Sequence, residues 1–157
     1  MPVPFNRYVS KDISQRVLQF SALVNATPFP ASLGCEVVEL LRGRVVLRMA
    51  YAPHLIGDPD TGVVHGGAIT AALDQASGIT VGSLLNAAFS IATLDLRIDH
   101  MKPAVPHTDI FIEAECLKMT QDIAFTRGVA YQTSRDEPIA LSTGAFILAA
   151  GMAAGGG

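Results

Sequence analysis

Residues 66–86 constrain the fold more than any other part of this 157-residue chain. The segment is too long for a strand and is rich in alanine, the residue with the highest helix propensity, so it predicts a helix. Its alanine, isoleucine and leucine side chains point in nearly all directions around the axis, and such a helix must be covered on most sides. This pattern is typical of a fold in which a sheet wraps around one helix.

Strand-like runs bounded by turn residues make up most of the remaining chain. They cover residues 33–41, 45–51, 91–102, 109–119, 124–133 and 139–148. The first two runs read as a hairpin with Gly43 in its turn. The order of elements predicts the α+β class, with a curled antiparallel sheet wrapped around one long central helix.

Within the run at residues 91–102, residues 93–99 alternate strictly between polar and apolar side chains. Its apolar set is Leu94, Leu96 and Ile98, and its polar set is Thr93, Asp95, Arg97 and Asp99. Because side chains of a strand point alternately to its two faces, the two sets are predicted to lie on opposite faces.

The length of the chain favours a single domain over residues 1–157. Apolar residues recur at helical spacing in residues 10–25, which predicts an additional N-terminal helix, and residues 27–32 are expected to end it. The alanine and glycine residues of segment 149–157 are expected to form a flexible tail.

The composition narrows the possible partners. Only 16% of the residues are charged and 50% are hydrophobic, so we expect part of the surface to be covered in a homo-oligomer. No apolar run reaches the length of about 18 residues that a membrane-spanning helix needs, so no membrane partner is expected. The net charge of −3 and the absence of a basic cluster argue against nucleic-acid binding.

Cysteine usage and the N-terminus indicate the compartment. Cys35 and Cys116 each lie in an apolar run, without the spacing of a metal or redox motif, and are expected to be reduced. The first residues lack the apolar region of a secretory signal. We therefore expect a cytoplasmic protein.

Asp74 is the unusual residue of the central helix. Carboxylates are seldom fully buried without a partner, so Asp74 either marks a solvated stripe beside Gln75 or Ser77 or serves a function. His65 lies nine positions earlier, on the opposite side of a helix, and Gly66 is separated from Asp74 by about 12 Å of helix rise. One small reacting group cannot touch both in one chain. A second helix running antiparallel across a two-fold axis would bring Gly66 and Asp74 together.

The start of the same helix has suitable chemistry for a developing anion. His65 is followed by Gly66 and Gly67, and glycines at a helix start expose backbone N–H groups to which the helix dipole adds positive charge. A donor held there is worth about 3 to 4 kcal/mol to an acyl-transfer transition state. The alternative interpretation is a tight turn from loop to helix.

Together, these residues resemble the signature of the hotdog-fold thioesterases, in particular the branch of phenylacetyl-CoA and 4-hydroxybenzoyl-CoA thioesterases. The similarity consists of the HGG motif at residues 65–67, Asp74 eight residues after its first glycine, and the small pair Ser77 and Gly78. It continues in the TLDLRIDHMKPA run of residues 93–104 and covers residues 34–148.

The resemblance implies hydrolysis of aryl- or medium-chain acyl-CoA thioesters by a homodimer or a dimer of dimers. The Gly66 amide would polarise the thioester carbonyl, and His65 would shape the loop or contact the substrate. Asp74 of the partner chain would act as general base or as nucleophile. Thr93 occupies the place of a serine that helps to position water in relatives; its alternative role is that of an ordinary strand residue.

The loop before the HGG motif departs from the family pattern. Relatives often carry an asparagine six residues before the histidine, where this chain has Pro59 between Asp58 and Asp60. Either aspartate could replace the asparagine as a polar neighbour of the substrate. Gly67 and Gln75 complete the substrate-binding residues that the resemblance implies.

Other kinds of site find little support in the sequence. The histidines have no metal-binding spacing, and no cofactor beyond the CoA of the substrate is expected. His54 and His100 are expected to be structural. Candidates for holding the CoA phosphates are Arg97, Lys102, Arg127 and Arg135, although a solvated charge at the end of a strand is the favoured explanation for each of them.

Two alternative functions remain on the same fold. A hydratase or dehydratase is disfavoured because no catalytic histidine lies on the central helix with its acid. A non-catalytic protein that binds acyl-CoA, or a scaffold, is possible because fold does not fix function. The presence of both Gly66 and Asp74 favours the enzyme over this alternative.

Overall fold

The computed structural model describes residue 22, residues 25–85 and residues 89–150. The helix predicted for residues 10–25 lies outside the described residues except at positions 22 and 25. The expected tail lies outside them from residue 151 onward, and residues 149 and 150 end the last strand.

Two α-helices and eight strands are formed within these residues. The helices are α1 (Pro28–Leu33) and α2 (Gly66–Gly82). The strands are β1 (Cys35–Leu41), β2 (Arg44–Met49), β3 (Ile56–Asp58), β4 (Val63–Val64), β5 (Phe89–His100), β6 (Ile110–Met119), β7 (Ile123–Tyr131) and β8 (Ala140–Ala150). A short 3₁₀ turn at Pro53–Leu55 precedes β3.

The six long strands form one antiparallel sheet in the order β1-β2-β6-β7-β8-β5. They are the six strands predicted from the sequence, and the β1–β2 hairpin turns at Gly43, whose φ of 81° suits glycine. Strands β3 and β4 pair separately in the loop before α2. The predicted hotdog architecture, a curled antiparallel sheet with one long helix, is confirmed.

Helix α2 packs closely against the sheet. The buried side of α2 carries small and branched apolar residues, among them Ile69, Ala72, Leu73 and Ala76. On β7, a Cβ atom at Gly128 would lie 3.0 Å from Leu73 Cδ2 and 2.5 Å from Ser142 Oγ. A glycine is therefore needed at this position for the helix to approach the sheet.

Helix α1 occupies the segment that the sequence analysis assigned to a break. Pro28 stands in the first turn of α1, where its fixed φ and missing N–H are compatible with a helix. The helix ends at Gly34, which has a φ of 62° and donates its N–H to Ala31 O. The two prolines of this segment therefore begin a short helix instead of preventing one.

Strand β5 contains a β-bulge that the alternating sequence did not reveal. The register with β8 shifts between Thr93, which pairs with Phe146, and Asp95, which pairs with Ala145. Leu94 lies in this bulge and is 55% exposed, although the alternation placed it with Leu96 and Ile98. Thr93 consequently points to the same face of β5 as Leu96 and Ile98, the face toward α2.

Candidate active site

The first turn of α2 keeps one backbone donor available. His65 is the N-cap residue, and its Nδ1 atom accepts a hydrogen bond from the Gly67 amide at 2.8 Å. Its carbonyl oxygen accepts from the Ala68 amide at 2.9 Å. Among the described residues no group accepts from the Gly66 amide, so this N–H is free at the positive end of the helix dipole.

The two glycines of the motif make room for two histidine rings. A Cβ atom at Gly67 would lie 2.8 Å from His65 Nδ1 and would displace the capping imidazole. A Cβ atom at Gly66 would lie 3.3 Å from Cε1 of His100, the last residue of β5. Gly57 on β3 is also needed, because its Cβ would lie 2.8 Å from the His65 Cα.

Asp74 lies halfway along α2 and is paired with β5. It is half-buried, and its Oδ1 atom accepts a hydrogen bond of 2.8 Å from the Thr93 hydroxyl. Thr93 reaches Asp74 because the bulge at Leu94 turns it toward the helix. The next residue of the helix, Gln75, is half-buried.

The donor and the acid of the predicted site do not meet within one chain. Gly66 and Asp74 are eight residues apart on one continuous helix, which corresponds to about 12 Å along its axis. The structure therefore forms two separate groups of site residues. Gly66 lies beside His65 and His100, and Asp74 is hydrogen-bonded to Thr93.

The loop aspartates lie in the turn between β3 and β4. Asp58 accepts hydrogen bonds from the Asp60 amide at 3.1 Å and from the Thr61 hydroxyl at 2.7 Å. The Thr61 hydrogen bond, with a smaller effect of the Asp60 amide, lowers the pKa of the Asp58 carboxyl. Both carboxylate oxygens of Asp58 are thus used within its own turn, while Asp60 is exposed.

The two histidines that the sequence analysis regarded as structural have different surroundings. His54 forms a 2.6 Å hydrogen bond with Ser32 O, which ties the 3₁₀ turn to α1. The His100 ring lies beside Gly66, and its Nε2 atom is 3.4 Å from the Thr70 hydroxyl on the second turn of α2. His100 is the residue that the sequence analysis did not connect with the site.

An open groove lies on the His65 side of the helix start. Its volume is about 260 Å³, and its walls include His65, Gly67 and Ala68 together with Leu33 and Leu55. The exposed side chain of Phe29 from α1 forms its outer edge. The groove therefore has a mixed lining, apolar at Phe29, Leu33 and Leu55, and it includes the Gly67 and Ala68 residues of the helix start.

Each proposed CoA-phosphate cation forms an ion pair within the chain. The pairs are Arg97–Asp99 at 3.0 Å, Lys102–Glu137 at 3.8 Å, Arg135–Glu113 at 3.2 Å, and Arg127–Glu115. The four cations themselves are exposed, so they remain accessible to an anion, although Glu113, the partner of Arg135, is buried.

The described part of the chain contains neither a metal-ligand cluster nor a membrane-spanning helix. No group of three His, Cys, Asp or Glu side chains is arranged there to hold a metal ion. Over the same residues, every helix is too short or too polar to cross a bilayer.

Several curated proteins are similar to this chain in sequence. The chain is 32% identical over 89 residues to the medium/long-chain acyl-CoA thioesterase YigI of Escherichia coli, a match covering 48% of this chain and 57% of YigI. A protein of Halobacterium salinarum is 33% identical over 101 residues, which cover 62% of this chain and 63% of that protein. The chain thus spans about three fifths of the length of these relatives.

Solved structures match over more of the chain. A crystal structure from Pseudomonas aeruginosa is 40% identical, with a TM-score of 0.76, and the match covers 83% of this chain and 97% of that one. Zebrafish thioesterase superfamily member 2 is 22% identical with a TM-score of 0.74, over 87% of this chain and 97% of that one, and shows the shared fold.

The family assignment rests on the part of the chain that contains the site. The model of the thioesterase superfamily matches residues 61–139, half of the chain, and this region runs from the loop before His65 to the start of β8. It includes the free Gly66 amide, the Asp74–Thr93 pair and His100. This chain belongs to the thioesterase superfamily.

Proposed function

We propose that this protein hydrolyses aryl- or medium-chain acyl-CoA thioesters to the free acid and CoA. The observation that carries the proposal is the free Gly66 amide. His65 accepts hydrogen bonds from the amides of Gly67 and Ala68 and leaves that of Gly66 unpaired. A thioester carbonyl bound there would develop its negative charge against an N–H donor and the positive end of a helix. The name of YigI supports acyl-CoA as the substrate class.

Asp74 supplies the base in this proposal. The Thr93 hydroxyl donates to Oδ1 of the carboxylate and leaves Oδ2 to accept a proton from water. The resulting hydroxide attacks the carbonyl carbon, the tetrahedral oxyanion is held by the Gly66 amide, and the C–S bond then breaks. CoA departs as a thiolate that takes up a proton, and the acid is released.

A second copy of the chain completes the site. Because Gly66 and Asp74 are about 12 Å apart along one helix, the base that serves one Gly66 must come from the partner's helix. The edge of the sheet supports such a dimer, since β5 is a 12-residue edge strand with Leu94 exposed upon it. We therefore propose a homodimer, or a dimer of dimers, with composite sites.

A thiol-release assay with a panel of acyl-CoA thioesters tests this function. We expect turnover by the wild-type protein and a loss of about 10²- to 10⁴-fold in kcat in Asp74→Asn, which is isosteric but cannot act as a base. The matched control is Asp122→Asn in the exposed turn between β6 and β7, where the same change should leave kcat unaltered.

Two results would contradict the proposal. An Asp74→Asn variant as active as the wild type would remove Asp74 from the mechanism. Saturable binding of acyl-CoA without turnover of any thioester would instead support the non-catalytic binding protein.

A further inference from the structure

The His100 ring lies beside Gly66, the residue whose amide is free in the candidate site. Its Cε1, Nε2 and Nδ1 atoms lie 3.3, 3.6 and 3.7 Å from the point that a Cβ atom of Gly66 would occupy. The edge of the imidazole that carries both nitrogens therefore faces the start of α2. A Cβ atom at position 66 would be in tight contact with the ring, so the absence of a side chain at Gly66 makes room for this approach.

The contact between His100 and Thr70 is compatible with a proton on Nδ1 of the imidazole. The Thr70 Oγ1 atom lies 3.4 Å from Nε2, so that the hydroxyl can donate to this nitrogen. A neutral imidazole that accepts at Nε2 carries its proton on Nδ1. Nδ1 is then a donor directed to the neighbourhood of the Gly66 amide.

His65 is unsuitable for the same task. Its Nδ1 atom already accepts from the Gly67 amide, and its ring lies in the wall of the groove on the other side of the helix start. Of the two histidine rings beside the Gly66–Gly67 pair, that of His100 forms no hydrogen bond with a backbone group among the described residues.

We propose that His100 is a catalytic residue that donates a second hydrogen bond, from Nδ1, to the thioester carbonyl oxygen held by the Gly66 amide. The proposal rests on the thioesterase function given above. Two donors then share the charge of the tetrahedral oxyanion, as expected of a preorganised oxyanion hole. Thr70 is a positioning residue, since it acts on the substrate only through the His100 ring.

Three substitutions of His100 separate this role from a structural one. The side-chain amide of asparagine places its N–H₂ near the position of Nδ1, whereas that of glutamine reaches the position of Nε2. We expect His100→Ala to lower kcat by about 10²-fold with little change in KM, because the lost hydrogen bond forms mainly in the transition state. His100→Asn should recover at least about tenfold of this loss, and His100→Gln should not.

The control for these variants is His107→Asn. His107 has a φ of 57°, a conformation that asparagine tolerates, and its ring contacts Tyr51 rather than α2. This variant should retain the wild-type kcat. Thermal unfolding of each variant shows whether a loss of activity reflects a loss of structure.

Each outcome decides for or against the role of His100. Three results would overturn the proposal: a wild-type kcat in His100→Ala, an effect of this variant on KM alone, or rescue by glutamine instead of asparagine. The Asp74→Asn variant tests the thioesterase function separately. If the wild-type protein hydrolyses no thioester, the function fails independently. Binding of a phosphonate analogue, whose charged oxygens mimic the tetrahedral oxyanion, then decides: equal or absent binding in the wild type and His100→Ala overturns the role of His100, whereas weaker binding in His100→Ala supports it.

Discussion

His65 illustrates how one side chain can prepare a site through hydrogen bonds to its own backbone. An N-cap residue normally satisfies one amide of the first turn with its side chain, and His65 does this for Gly67 while its carbonyl serves Ala68. The N–H that remains belongs to Gly66. The cap therefore determines which amide is available. The resemblance to thioesterases left two roles open for His65, shaping the loop or contacting the substrate, and this capping supports the first.

The importance of the Gly66 amide can be tested by substituting proline, which has no backbone N–H. Gly66 is the first residue of α2, a position that favours proline, and His65 has the extended backbone (φ −61°, ψ 131°) that precedes proline readily. We expect Gly66→Pro to lower kcat by about 10²- to 10³-fold, because the missing N–H is the oxyanion donor. The helix itself should remain intact by circular dichroism.

The comparison variant is Gly66→Ala, which keeps the amide and adds only the Cβ atom 3.3 Å from His100 Cε1. If both variants lose the same activity, crowding of His100 explains the loss and the amide does not.

Cys35 links burial to pH-dependent stability. Burial of its thiol among apolar side chains raises its pKa from the ordinary 9.0 to about 12. The folded state therefore holds the proton above pH 9, where the unfolded chain releases it, so stability is complete below pH 9 and decreases as the pH rises toward 12. The expected slope in this interval is about 1.4 kcal/mol per pH unit.

Urea unfolding at pH 8 and pH 10 measures this effect. The free energy of unfolding of the wild type should fall by about 1 kcal/mol more than that of Cys35→Ala, which has no thiol to titrate. Equal decreases in the two proteins would show that the Cys35 thiol titrates alike in the folded and unfolded states.

At the scale of elements, strand β5 shows why part of the site was predictable and part was not. The alternating sequence places Thr93 and His100, which are seven residues apart, on opposite faces of a regular strand. The bulge at Leu94 adds one residue and turns both toward α2. Leucine carries no turn signal, so local sequence gave no reason to expect the bulge, and the role of His100 was missed with it.

The helices show a similar division. The start of α2 at Gly66 was predicted correctly, because a capping residue and two glycines mark it. Its end was predicted at residue 86 but lies at Gly82, and Ser83 follows as the cap, with its hydroxyl donating to Thr80 O and accepting from the Gly43 amide. The Gly43–Ser83 hydrogen bond joins the helix to a turn 40 residues away in the sequence, and local helix propensity cannot predict it.

At the scale of the whole molecule, the site is divided because the helix is straight and continuous. Its N-terminus and Asp74 belong to the same rigid element, so no loop movement can bring the donor of one chain to its own acid. The sequence spacing alone predicted this separation, since it depends only on the rise per residue. It could not predict how two copies meet, because that depends on the shapes of assembled surfaces.

Mixed dimers test whether the site is shared between chains. Gly66→Pro removes the donor and Asp74→Asn removes the base, so each homodimer should be inactive. A dimer with one chain of each kind has two sites if each site is shared between the chains. One site is intact, because it takes Gly66 from the Asp74→Asn chain and Asp74 from the Gly66→Pro chain. The other site has both defects.

Co-expression with two different affinity tags, followed by purification on both, isolates such dimers. We expect about half of the wild-type kcat per dimer, because one of two equivalent sites is complete. The two-tag wild-type dimer is the control for the effects of tagging and purification. A site contained within one chain leaves no intact copy in the mixed dimer, so mixed dimers as inactive as the parent variants would refute the shared arrangement.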